Sequence, residues 1–129
     1  MKQKTKELSI LLTTSNVQEG QNLASRLRVQ GHYIEVASGG FHTLNLLEDT
    51  NNSFNMMIIM GDQHDTSANE VTSHIRTLFS KKELPVLIMK DTQDKEEVLE
   101  AFSWGANDFS SRKLNFNDLL KRLEKLVKL

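Results

Sequence analysis

The residues of this sequence that could do chemistry lie mostly in short polar segments that follow apolar runs. Asp62, His64 and Asp65 place two carboxylates and an imidazole within four residues, and oxygen and nitrogen donors of this kind can hold a metal ion. All three occupy one short loop, however, and the histidines of the chain share no metal-ligand spacing. We therefore expect no metal site at this loop or among the four histidines, His32, His42, His64 and His74.

Two cations could instead hold an anion. Lys90 and Arg112 each follow a predicted strand, and with backbone N–H groups at the start of the first predicted helix they could bind an anionic small ligand. The alternative is structural. Lys90 would then extend to solvent or pair with Asp62 or Asp91. Arg112 would be a loop charge that pairs with a carboxylate.

Composition and charge describe an ordinary globular chain. Of its 129 residues, 38% are hydrophobic and 26% are charged, and the formal net charge of -1 gives no indication of nucleic-acid binding. The chain contains no cysteine, which excludes disulfides, thiolate–metal sites and a cysteine nucleophile. The longest apolar stretch, residues 56–60, is far too short to span a bilayer. We expect a cytoplasmic protein that contacts neither nucleic acid nor membrane.

Apolar runs alternate with helical patterns along the chain. Five runs predict strands, at residues 8–12, 33–37, 54–60, 86–89 and 107–110. A capping box of Ser15 and Gln18 opens the first predicted helix, which ends at Gly31, and Asn115 can cap the last helix. The apolar side of the first helix would comprise Val17, Leu23, Ala24 and Leu27. The alternation predicts right-handed crossovers and one α/β domain, a doubly wound parallel sheet with helices on both faces.

This domain would cover residues 8–129 and follow a polar N-terminal extension, residues 1–7. Parallel sheets of this kind bind ligands or carry out reactions at the carboxyl ends of their strands. Function should therefore be sought in the segments that follow the first, third, fourth and fifth strands. These are residues 13–16, 60–65, 90–92 and 110–113.

Three stretches in this order carry a family resemblance. They are FNMMIIM in the third strand, LPVLIMKD in the fourth, and AFSWGANDFSSRKLNFNDLLKRL near the end of the chain. From about residue 8 to 127, the sequence resembles the receiver domains of bacterial two-component response regulators. The resemblance implies a flavodoxin-like five-stranded parallel sheet with strand order 2-1-3-4-5.

The resemblance also implies where a phosphorylation site would lie. A working receiver holds magnesium with an acidic pair after the first strand and phosphorylates an aspartate that ends the third. A hydroxyl after the fourth strand and a lysine after the fifth hold the phosphoryl oxygens. In this sequence the five positions are Thr14, Ser15, Met60, Lys90 and Arg112. Lys113 replaces the proline that usually follows the lysine, and Phe109 occupies the position of the switch aromatic.

These replacements remove the chemistry of the family. Magnesium requires carboxylate oxygens, which two hydroxyl side chains do not provide. A thioether cannot form an acyl phosphate, so Met60 ends nucleophilic catalysis at that position. We predict a pseudo-receiver that is not an enzyme and needs no cofactor. The competing interpretations are structural: Thr14 or Ser15 caps the first helix, and Met60 fills a gap in the core.

We therefore predict a phosphorylation-independent signalling or scaffolding module that binds a protein partner, with a homodimer as one option. The resemblance implies a partner face on the fourth helix and fifth strand, formed by Val98, Phe102 and Phe109 with Trp104 nearby. Val98 and Phe102 lie four residues apart on one helical side, and the alternative is that both are core. Two other functions remain open. One is a receiver phosphorylated on a displaced aspartate, Asp62, and the other is an anion sensor that uses Lys90 and Arg112.

Overall fold

The apolar runs of the sequence form five parallel strands, which helices connect. The computed structural model describes residues 7–92 and 94–127. The strands are β1 (Ser9–Thr14), β2 (Tyr33–Ser38), β3 (Met56–Met60), β4 (Val86–Met89) and β5 (Asp108–Ser110). The helices are α1 (Val17–Val29), α2 (Gly40–Glu48), α3 (Ala68–Leu78), α4 (Lys95–Trp104) and α5 (Phe116–Val127).

The order of the strands in the sheet is β2-β1-β3-β4-β5, with every pair parallel. This confirms the predicted doubly wound sheet, with the apolar β3 at its centre and β2 at one edge. Of the predicted N-terminal extension, only Glu7 belongs to the described residues; residues 1–6 lie outside them, as do residues 128 and 129 of the predicted domain. No helix in the described part of the chain is long and apolar enough to cross a membrane.

The hydrophobic core consists of two layers, one on each face of the sheet. Successive side chains of a strand point to opposite faces, so Leu12 and Ile58 join the layer under α1 and α5, whereas Leu11 and Ile59 join the layer under α2, α3 and α4. All four side chains have no exposed surface. Because both faces are covered, the strands are continuously apolar rather than alternating.

Two features of α1 differ from the sequence prediction. The N-cap is Asn16, whose side chain accepts a hydrogen bond from the Glu19 N–H at 3.1 Å, so the predicted Ser15 capping box is wrong. The strand continues to Thr14, which moves the start of the helix one residue along the chain. Val17 is 49% exposed and does not belong to the buried side of the helix. The predicted end at Gly31 agrees with the structure, since Gly31 has a positive φ of 97° directly after the C-cap.

The bounds of the other elements differ from prediction by a few residues. β3 begins at Met56 rather than at residue 54, β5 begins at Asp108, and β2 extends to Ser38. Asn115 accepts hydrogen bonds from the N–H groups of Asn117 and Asp118 in the first turn of α5, as predicted. A capping box that the sequence analysis missed opens α3, where Ser67 and Glu70 bond to each other's backbone N–H.

Candidate functional site

The register of the sheet brings four of the five predicted site positions together at the carboxyl ends of the strands. Thr14 is paired with Met60 across β1 and β3, Met60 with Met89 across β3 and β4, and Met89 with Ser110 across β4 and β5. Lys90 and Arg112 follow the last two of these strand ends. We call this end of the sheet the strand-end site. It is formed by Thr14, Met60, Lys90, Arg112 and the loop of residues 61–67.

Thr14 is completely buried, and its hydroxyl is already used. The Oγ1 atom donates to the Asn16 carbonyl at 2.9 Å and accepts from the Asn16 N–H at 3.0 Å. A Cβ atom on Gly20 would lie 2.5 Å from the Thr14 methyl group, so α1 approaches β1 closely at this point. Ser15 is exposed. The first strand therefore ends in a structural turn, and neither hydroxyl is the helix cap.

Met60 belongs to the hydrophobic core. Its side chain is 4% exposed and packs in the layer that contains Met56, Met89 and Leu119. The sulfur thus occupies apolar space at the end of β3, which is the structural interpretation that the sequence left open. A carboxylate at this position would face a hydrocarbon environment.

Lys90 bridges two carboxylates that lie on different elements. Its Nζ atom is 3.0 Å from Asp62 Oδ2 and 2.7 Å from Glu97 Oε1. The contact with Asp62 has hydrogen-bond geometry, whereas the contact with Glu97 is a close ion pair. The predicted pairing of Lys90 with Asp62 is confirmed. The other candidate partner, Asp91, accepts instead from the Ser111 hydroxyl and the Arg112 N–H.

The pKa values of Lys90 and Asp62 both shift in the direction of the charged form. Burial acts to lower the pKa of Lys90, but Glu97 and Asp62 outweigh it, and the pKa is raised above 10.5. Burial likewise acts to raise the pKa of Asp62, but the Ala68 N–H and Lys90 hold it below 3.8. Both groups are therefore charged at neutral pH, and the single ammonium of Lys90 faces two carboxylates.

Arg112 crosses from the end of β5 to α1, where its guanidinium pairs with Glu19. On this path it passes Gly61, the residue that follows β3: a Cβ atom on Gly61 would lie 3.2 Å from Arg112 Nη1. Gly61 also has a positive φ of 72°, which disfavours any side chain there. Arg112 thus pairs with a carboxylate, as the structural interpretation predicted, and its guanidinium lies over the end of β3.

The two carboxylates of the predicted cluster, Asp62 and Asp65, bind different backbone segments. Asp62 accepts from the Ala68 N–H at 2.9 Å, whereas Asp65 accepts from the N–H groups of Gly40 and Phe41 at 2.9 and 3.0 Å. The Gly40 and Phe41 bonds lower the pKa of Asp65. Asp65 therefore caps α2 from a different loop. Within residues 7–92 and 94–127, no group of three or more histidine and carboxylate side chains is placed to hold a metal ion.

The predicted partner face is exposed in part. Phe102 is 36% exposed, while Val98 and Phe109 are half-buried. Leu99, which the sequence analysis did not name, is 68% exposed and lies three residues before Phe102, on the same side of α4. We call Val98, Leu99, Phe102 and Phe109 the α4 face.

Trp104, also a candidate for this face, is 40% exposed. It follows Phe102 by two residues and therefore lies on a different side of α4.

Of the residues that matter at the two sites, Glu19, Glu97 and Leu99 were missed. No local signal marks Glu19, whose partner Arg112 is distant in the sequence, whereas Glu97 lies seven residues after its partner Lys90, across the turn into α4. Leu99 could have been found from its spacing to Phe102.

Solved structures with the same fold are numerous. A two-component response regulator from Clostridium difficile is 17% identical, with 94% of this chain and 96% of that chain covered and a TM-score of 0.85. The non-phosphorylated HemR receiver domain from Leptospira biflexa is 24% identical, with 95% of each chain covered and a TM-score of 0.81.

A third match comes from a co-crystal structure of a histidine phosphotransfer signaling protein of Saccharomyces cerevisiae and the receiver domain of its downstream response regulator. The matched chain is 17% identical, with 95% of this chain and 90% of that chain covered and a TM-score of 0.82. No protein-family model matches the sequence, and no curated protein matches it. The chain has the fold of response-regulator receiver domains, which confirms the fold that the resemblance implied.

Proposed function

We propose that this protein is a signalling or scaffolding module that binds a protein partner and does not depend on phosphorylation. One observation carries the proposal: the strand-end site is filled by the chain's own side chains. Met60 is core, Lys90 is neutralised by Asp62 and Glu97, and Arg112 pairs with Glu19. The site therefore offers neither a nucleophile at the end of β3 nor a set of carboxylates for magnesium.

Partner binding is the activity that the remaining surface supports. The α4 face presents Leu99 and Phe102 to solvent, and exposed aromatic and aliphatic side chains that lie together are effective anchors for a protein partner. Proteins with this fold are described as response regulators, and one is crystallised with a histidine phosphotransfer protein. We propose a partner of the same general kind, a signalling protein or an output domain. Capture of a second copy of the chain is another outcome of the binding test described below.

The two alternatives find less support. Phosphorylation of Asp62 would require that its carboxylate leave both the Ala68 N–H and the Lys90 ammonium, and no acidic pair stands ready to hold magnesium at the end of β1. An anion at the strand-end site would have to compete with Asp62 and Glu97 for Lys90, and with Glu19 for Arg112.

Phosphorylation is tested by intact-mass spectrometry after the chain is incubated with magnesium and phosphoramidate. We expect no added phosphoryl group. An added phosphoryl group that is lost in Asp62→Asn would instead establish the displaced-aspartate receiver. A working receiver domain treated in parallel shows that the reagent is active.

Partner binding is tested by quantitative capture from an extract of the source organism, with the wild type compared with Leu99→Ala and Phe102→Ala. The matched control is Val29→Ala, since Val29 is 83% exposed on α1. Each variant is first shown to be folded by circular dichroism. We expect the α4-face variants to lose a protein that Val29→Ala retains. Retention by all three variants, together with loss in Lys90 or Arg112 variants, would move the function to the strand-end site.

A further inference from the structure

Lys90 connects the loop that follows β3 with the first turn of α4. Asp62 belongs to the loop that follows β3, and Glu97 is the third residue of α4. The Lys90 ammonium lies 3.0 Å from the first carboxylate and 2.7 Å from the second. One side chain thus ties the loop of residues 61–67 to the first turn of α4.

Each carboxylate is also fixed by its own segment. Asp62 uses its second oxygen to accept from the Ala68 N–H at 2.9 Å, which anchors it to the start of α3. Glu97 uses its second oxygen to accept from the Thr92 hydroxyl at 3.2 Å, which anchors it to the loop before α4. Because neither carboxylate is free to follow the ammonium, the bridge holds the two segments at a defined separation.

We propose that Lys90 is a positioning residue that keeps the α4 face in one arrangement by means of this internal ion bridge. The inference rests on the proposed function only in assigning partner binding to the α4 face. The ammonium of Lys90, a permanent charge of the chain, holds α4 to the loop after β3. No phosphoryl group has to be added for this. The α4 face is therefore ready to bind at all times rather than switched between two states.

The bridge is tested by amide hydrogen exchange, followed in peptides that cover residues 94–104 and 61–67 of the full chain. Lys90→Met removes the ammonium and keeps a side chain of similar length. Lys95→Met is the matched control, because Lys95 is an exposed lysine in the same turn of α4 as Glu97. We expect exchange in both segments to become about threefold to thirtyfold faster in Lys90→Met, in keeping with two partly exposed ion pairs. Lys95→Met should resemble the wild type, and Lys90→Arg should lie closer to the wild type than Lys90→Met.

A second variant separates the bridge from general loss of stability. Glu97→Gln breaks one arm only, so exchange should accelerate more in residues 94–104 than in 61–67. Exchange in β3 is the internal reference, and the changes must exceed any change there. Unchanged exchange of both segments in Lys90→Met, or an equal effect in Lys95→Met, would overturn the proposal.

The outcomes for the bridge and for the proposed function are distinguishable. If Lys90→Met loosens α4 while Leu99→Ala and Phe102→Ala retain every captured partner, the bridge stands and the partner face is wrong. If the α4-face variants lose a partner while Lys90→Met leaves exchange unchanged, the partner face stands and the bridge is wrong.

Discussion

The guanidinium of Arg112, which follows β5, pairs with the carboxylate of Glu19 in the first turn of α1, 93 residues earlier in the chain. The pair closes the strand-end site over Gly61 and joins the last loop of the domain to its first helix. Its side chains are 32% and 40% exposed, so the attraction is partly screened by water.

A double-mutant cycle on this pair should give a modest coupling. Arg112→Met and Glu19→Gln, made singly and together, should show an interaction of about 0.5–1 kcal/mol in the free energy of unfolding, which is the range for partly exposed ion pairs. Urea denaturation at low and at high salt is the measurement, and the coupling should shrink at high salt. Additive single effects would mean that the pair does not contribute to stability.

Restoring an aspartate at the end of β3 should destabilise the domain. Met60→Asp places a carboxylate in a position that is 4% exposed, paired with Met89 across the sheet and part of the hydrophobic core. Since Lys90 already has two carboxylate partners, it compensates the new charge only in part. We expect a loss of about 1–3 kcal/mol in the free energy of unfolding, the range for a poorly satisfied buried polar group.

Met60→Leu is the control for this prediction. It conserves volume and polarity, so its cost should stay below about 1.5 kcal/mol. A urea midpoint of Met60→Asp equal to or above that of the wild type would show that cations of the strand-end site accept a carboxylate at this position.

Arg76 of α3 should be one of the residues on which stability depends most. Its guanidinium donates to the carbonyls of Leu84 at 3.0 Å and Gly105 at 2.9 Å, and to Asn107 Oδ1 at 2.8 Å. It thereby joins α3 to the segments before β4 and β5. Arg76→Met would leave the two carbonyls without this donor, while Asn107 Oδ1 still accepts from the Val86 N–H. We expect a loss of about 2–4 kcal/mol in the free energy of unfolding, measured by thermal or urea denaturation.

Arg26→Met is the matched control. Arg26 lies on the exposed side of α1, with its guanidinium carbon 4.1 Å from the centre of the Phe116 ring. A cation–π contact at such a site contributes about 0.5–1 kcal/mol, so the control should be clearly milder than Arg76→Met. Equal effects of the two variants would show that the buried acceptors find water when Arg76 is lost.

Stability should fall on mild acidification because of His32. The side chain is 8% exposed, and its Nδ1 atom accepts from the Leu8 N–H at 3.1 Å, which only the neutral ring can do. Burial lowers the pKa of His32 below 6.5, although Glu124 and Glu7 act in the opposite direction. The folded state therefore binds fewer protons than the unfolded state around this value. The contribution of neutral His32 is complete above pH 6.5 and is lost as the pH falls through 6.5 towards the lowered pKa.

The measurement is urea unfolding between pH 5 and pH 8, roughly the interval in which histidine titrates. The fall in stability should be smaller in His32→Gln, while His74→Gln should keep the wild-type profile because His74 is exposed. Identical profiles of all three proteins would rule out His32 as the cause.

Much of the fold could be predicted from local patterns. The apolar runs 86–89 and 56–60 identify buried strands because a strand covered on both faces has to be apolar throughout. Element ends were less predictable. Ser15 and Asn16 are both good caps, and the choice between them depended on how far β1 continues, which pairing with β2 and β3 determines.

At the strand-end site, the sequence by itself determined which groups are lacking. Residue types alone decide that Thr14, Ser15 and Met60 cannot supply three carboxylates, since chemical identity does not depend on folding. Only the tertiary structure decided what the remaining cations do. Lys90 reaches Glu97 across the turn into α4. Arg112 pairs with Glu19, and Lys90 with Asp62, because the crossovers bring distant segments to the same end of the sheet, and such contacts leave no trace in local spacing.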